Sequence, residues 1–102
     1  MHLIQFLLPL HDNSNQKFPE THFSRVREDL TERFGGVTAF VRSPAVGLWK
    51  EGKDTVNRDE VVMFEVTADQ LDKEWWATYR KQLQAQFRQD EVLIWASNIT
   101  KL

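Results

Sequence analysis

Six apolar segments of two kinds alternate along this chain, and their order restricts the fold more than any single residue does. Two of them repeat large apolar residues at three- and four-residue spacing, the period of a helix. Four are short apolar, β-branched or aromatic runs, the pattern of strands. In the first run, "HLIQFLLPL", Gln5 is the only polar residue between Leu3 and Leu8, so residues 2 to 8 are predicted as a strand covered on both faces. Pro9 and the polar stretch "HDNSNQK" end it. The same segment is no secretion leader by pattern, because it lacks a Lys/Arg-rich start and a small-residue cleavage site.

In "FPETHFSRVREDLTERFGG", Phe23, Val26, Leu30 and Phe34 form a stripe about 80° wide on a helix. Pro19 suits the first helical position and Gly35-Gly36 a C-terminal cap. Arg25 with Asp29, and Asp29 with Arg33, are i,i+4 pairs on the wet side. "VTAFV" reads as a second strand and "EVVMFEV" as a third. Pro44 and Gly47 lie between them, and proline confines a strand to an edge or a bulge. The second strand is therefore expected at an edge, bending near Pro44, with a hairpin turning around Glu51 to Asp54. Residues 72 to 88 read as a second helix capped by Asp69 or Asp72, and "EVLIWASNI" as a fourth strand.

The order β-α-β-β-α-β consists of two split βαβ halves. Right-handed crossovers turn it into one antiparallel sheet with the first and third strands central and both helices on one face. The predicted class is α+β: a single ferredoxin-like domain over residues 1–102, with a four-stranded antiparallel sheet. The stretches "RFGGVTAFVRSPAVGLWKEG" and "WWATYRKQLQAQFRQDEVLI" resemble a group of small, uncharacterised bacterial proteins of that fold. The resemblance implies the fold and no particular activity.

Projected at about 100° per residue, Leu71, Trp75, Tyr79, Leu83, Trp76 and Phe87 of the second helix fall within an arc of about 160°. A helix lying on its own sheet needs about 100° or a little more. One flank of the tryptophan pair is therefore expected against something else, such as the long hairpin or a second subunit. Trp75 is expected to be the more buried of the two, since Tyr79 and Leu83 continue its side of the stripe. Lys73, Arg80, Lys81 and Arg88 on the opposite side read as a solvated face.

Strand alternation puts Ile4, Phe6 and Leu8 on one face of the first strand, and Val62, Phe64 and Val66 on one face of the third. These apolar sets belong under the helices. Leu3, Leu7, Val61 and Met63 then occupy the helix-free face, where a monomer would leave them in water. A second copy packed sheet to sheet would cover them, as in proteins resembling the dimeric α+β barrel type. Gln5 and Glu65 share that face and must pair with each other, with Arg42 or with water.

A net charge of −2 provides no basic field to recruit nucleic acid or an anionic membrane, and no run is long enough to span a bilayer. The chain has no cysteine, which removes thiolate chemistry and suits a reducing cytoplasm. His2, His11 and His22 show no metal-ligand spacing, and neither a metal nor a cofactor is expected. His11 follows the first strand, a position where sites are common. Arg42, Trp49, Arg58 and Asp59 lie on the two arms of the expected hairpin, within reach of Trp75 and Trp76. An aromatic wall with arginine and a carboxylate suits a small, partly apolar anion. Two functions follow from this sequence. One is a non-catalytic, oligomeric small-molecule binding or regulatory module, most simply a homodimer. The other is a cofactor-independent enzyme similar to the monooxygenases and isomerases of dimeric α+β barrels, with Trp75, Arg42 and His11 as its candidate residues.

Overall fold

The computed structural model describes residues 1–42 and 60–102. The predicted Pro44 bend and the Glu51–Asp54 turn, together with Trp49, Arg58 and Asp59, lie outside them. Strand β1 (His2–Pro9) is followed by helix α1 (Glu20–Phe34), strands β2 (Thr38–Arg42) and β3 (Val61–Ala68), helix α2 (Lys73–Gln86) and strand β4 (Ile94–Asn98). The four strands form one antiparallel sheet in the order β2-β3-β1-β4. The two most apolar strands are central and β2 is an edge, as the positions of proline and of the apolar runs require.

The helix ends follow local chemistry. Gly35 takes a left-handed conformation (φ 86°) and its N–H closes α1 on the Thr31 carbonyl, a backbone shape that costs a side chain little only when there is none. Asp72 caps α2 by accepting a hydrogen bond from the Trp75 backbone at 3.1 Å. At the other end Arg88 is left-handed (φ 51°). Its N–H reaches the Ala85 carbonyl while that of Gln89 reaches Gln84, the Schellman closure normally made with glycine. Helix α2 therefore stops at Gln86, two residues short of the predicted end.

Ile4, Phe6, Leu8, Val62, Phe64 and Val66 face the helices and form the core with Phe23, Val26 and Leu30 of α1 and Trp76, Tyr79 and Leu83 of α2. Phe6 and Phe64, opposite each other in register, stack at 5.3 Å. Both helices thus lie on one side of the sheet.

The expectation for the tryptophans is reversed. Trp76 is 7% exposed and in the core, whereas Trp75 is half-buried on its flank. The reason is where the helix begins: Leu71 precedes the cap, so it does not belong to the helical projection. Removing it moves the centre of the stripe toward Trp76. On this flank α1 supplies a neighbour, with Phe34 meeting the Trp75 ring edge-on at 5.5 Å.

Candidate functional site

Two surfaces bring polar and aromatic side chains together where a ligand or partner could meet them. The first is an open cleft of about 770 Å³ where the C-terminal end of α1 and the N-terminal end of α2 approach the end of β3. Its aromatic side is made by Phe34, Trp75 and Tyr79, with the Trp75 and Tyr79 rings stacked at 4.9 Å. The Arg33 guanidinium lies over the Trp75 ring at 4.6 Å, a cation–π contact. It also donates to Asp72 Oδ2 at 3.1 Å, while Asp72 Oδ1 holds the α2 cap.

Deeper in the cleft the Tyr79 hydroxyl donates to Asp29 Oδ2 at 3.1 Å, and Asp29 also pairs with Arg25 at 3.5 Å. Burial pushes the Tyr79 phenol well above its ordinary pKa, and the neighbouring Asp29 carboxylate pushes it further. That phenol is a donor locked in its protonated state, not a base.

The second surface is the helix-free face of the sheet. Opposed residues in register share a face, so Arg42, Phe40 and Thr38 of β2 stand beside Val61, Met63 and Glu65 of β3. Leu7 and Gln5 of β1 continue the rows, and Trp95 of β4 lies beyond Gln5. A polar chain crosses this face: Trp95 Nε1 donates to Gln5 Oε1 at 3.0 Å, and Gln5 Nε2 donates to Glu65 Oε2 at 2.7 Å. The expected Gln5–Glu65 pairing is therefore present, extended by a tryptophan that alternation alone did not single out.

The apolar part of the face differs from the expectation. Met63 is only 4% exposed, with Phe40 and Leu7 beside it in register. Leu3, Leu7 and Val61 are half-buried, and the residue most open to water in that row is Phe40, at 44%.

The candidate residues in the described part fall in separate places. Trp75 and Trp76 touch, ring centres 4.8 Å apart. Trp75 lines the cleft beside Met1 and Ala68, where β1 begins and β3 ends. His11 follows the other end of β1, in a bridge with Lys17, with its Nδ1 buried and unbonded among the described residues. Arg42 is on the opposite face of the sheet from Trp75. Among the described residues no three His, Asp or Glu side chains group as metal ligands would. No helix there is long and apolar enough to cross a membrane.

No family model, curated protein or solved structure matches this chain. The resemblance drawn from its sequence accordingly reaches as far as the fold. Arg33 escaped notice in the sequence because its partners, Trp75 and Asp72, belong to the other helix and its cap. Its own helix pattern reads only as an i,i+4 surface pair with Asp29.

Proposed function

We propose that this chain is a self-associating small-molecule binding module. Its ligand, a small and partly apolar anion, enters the cleft between α1 and α2. The observation that carries the reading is the Arg33 guanidinium laid over Trp75 at the cleft. Its acidic partner is a surface one: the Arg33 and Asp72 side chains are 40% and 53% exposed, and such pairs contribute only about 0–1 kcal/mol. A ligand carboxylate can replace Asp72 at small cost while its apolar body lies against the aromatic side. The α2 cap survives the exchange, since it uses the other Asp72 oxygen.

Self-association through the helix-free face is supported by Phe40 and its half-buried neighbours. The cysteine-free composition supports a cytoplasmic setting, and the sequence resemblance supports a bacterial one.

Titration with benzoate, phenylacetate and cyclohexanecarboxylate, read by tryptophan fluorescence and by melting temperature, tests the binding reading. Saturable changes are expected in the wild type and in Arg42→Gln, and none in Arg33→Gln. Equal responses in wild type and Arg33→Gln, or none in either, would overturn it. Sedimentation of wild type against Phe40→Lys tests the assembly: the wild type should be a dimer and the variant a monomer.

A further inference from the structure

The helix-free face carries two charged side chains among its described strand residues, one of each sign. Arg42 stands at one end of β2, and Glu65 stands on β3 beside Thr38 at the other. Among the described residues Arg42 has no ion pair, and Glu65 accepts a hydrogen bond from the neutral Gln5 alone. The rest of the face is mainly apolar, with Leu3 and Leu7 of β1, Phe40 of β2, and Val61 and Met63 of β3.

Register fixes where the two charges lie relative to the apolar row. Arg42 is level with Val61, and Glu65 is four residues further along β3, roughly 14 Å at the strand rise and one strand over. The midpoint of the line joining them falls between Phe40 and Met63, which are paired in register. An isologous interface places residue i on residue j and j on i about one two-fold axis. If that axis lies between the two sheets over the Phe40–Met63 midpoint, perpendicular to the Arg42–Glu65 line, the apolar row of one copy meets the apolar row of the other. Each Arg42 then faces the partner's Glu65, twice per dimer.

The geometry points to a second copy of this chain as the occupant of this face, selected by reciprocal Arg42–Glu65 pairs that flank a centre at the exposed Phe40, beside the buried Met63. This rests on the self-association proposed above and adds its register and its specificity. A charge-assisted arginine–carboxylate pair fixes orientation as well as affinity. The Trp95–Gln5–Glu65 chain holds the carboxylate in place from within its own protomer.

Charge reversal gives an outcome that only a contact between copies satisfies. Arg42→Glu alone sets the introduced carboxylate against the partner's Glu65, and Glu65→Arg alone sets Arg42 against the introduced guanidinium. Mixed one to one, the two variants regain opposite-charge pairs in place of like-charge ones. Analytical ultracentrifugation should show wild type as a dimer and each variant with a dissociation constant raised about tenfold or more, the direction like-charge juxtaposition imposes. The mixture should form a heterodimer that binds more tightly than either variant binds itself.

A monomeric wild type would overturn the self-association and the pairing together. A dimeric wild type whose single variants dimerise equally well, or whose mixture gains nothing, would overturn the pairing and leave self-association standing. Should Glu65→Arg fail to fold, Arg42→Ala, Glu65→Gln and their combination decide the matter, since glutamine keeps the Gln5 bond. A combined loss no larger than either single loss supports the pairing, and additive losses overturn it.

Discussion

Tyr79 on α2 donates its hydroxyl proton to Asp29 on α1 at 3.1 Å, the hydrogen bond that joins the two helices across the floor of the cleft. Its ring belongs to the core, so its hydroxyl is the polar end of an otherwise apolar contact. Tyr79→Phe should cost about 1–2 kcal/mol, toward the low side for a bond to a carboxylate because Asp29 is partly solvated. Denaturant midpoints at pH 7 measure it.

The same bond has a pH signature. Burial first, and then the Asp29 charge, raise the folded-state pKa of Tyr79 above its ordinary value. The unfolded chain releases this proton near pH 10, so above that pH the folded state holds more protons than the unfolded one, and stability falls as pH rises. The contribution is complete below about pH 10 and is lost toward the raised value. Melting temperatures between about pH 8 and 11 should fall less steeply in Tyr79→Phe than in wild type.

Asp12 titrates in the opposite sense. The Gln16 backbone N–H, aided by that of Ser14 and by Arg88, lowers its pKa against a partial opposing effect of burial. Its contribution to stability is present above about pH 4, the unfolded value, and disappears as pH falls through the lowered one. Asp12→Ala should flatten the acid limb of the stability curve, and urea midpoints between about pH 2 and 5 would show it.

The two adjacent tryptophans should separate in a stability measurement. Trp76 packs edge-on to Phe6 at 6.0 Å and stacks on Phe34 at 5.4 Å within the core, so Trp76→Ala should cost about 3–5 kcal/mol. Trp75→Ala should cost less, because Trp75 is half-buried on the flank of that core, with the Arg33 guanidinium over its ring. Unchanged denaturant slopes would show that both values are stability differences rather than altered unfolded states.

Arg88 holds a left-handed conformation that an L side chain adopts at a cost of about 1–2 kcal/mol. Its ion pair with Asp12 at 3.6 Å is exposed on the arginine side and offsets little of this. Arg88→Gly should therefore raise stability by up to about 1 kcal/mol, net of the freedom glycine adds to the unfolded chain. A higher melting temperature would confirm it.

The order of elements was legible because each kind has its own pattern: short, nearly unbroken apolar runs in β1 and β3, three-to-four spacing in α1 and α2. The Gln5–Glu65 pair was legible for the same reason, as two polar residues stranded on one apolar face. Helix ends were less so. Leu71 continues the apolar pattern of α2 but lies before its cap, and that displacement alone exchanged the roles of Trp75 and Trp76. Of the cleft, only Trp75 was legible. Arg33 and Trp75, or Asp29 and Tyr79, meet only after two helices pack side by side, and no local spacing encodes which turn of one reaches which turn of the other.

Strand β1 is made first and is hydrogen-bonded on one edge to β3 and on the other to β4, both from the distal part of the chain. During synthesis at about 5–20 residues per second, its apolar side chains wait several seconds for one partner and longer for the other. For that interval "LIQFLL" is an unpaired strand of high β-propensity without charge, the kind of segment that associates with its like. The central place that gives β1 a partner on each edge of the finished sheet also leaves it without either in the nascent chain.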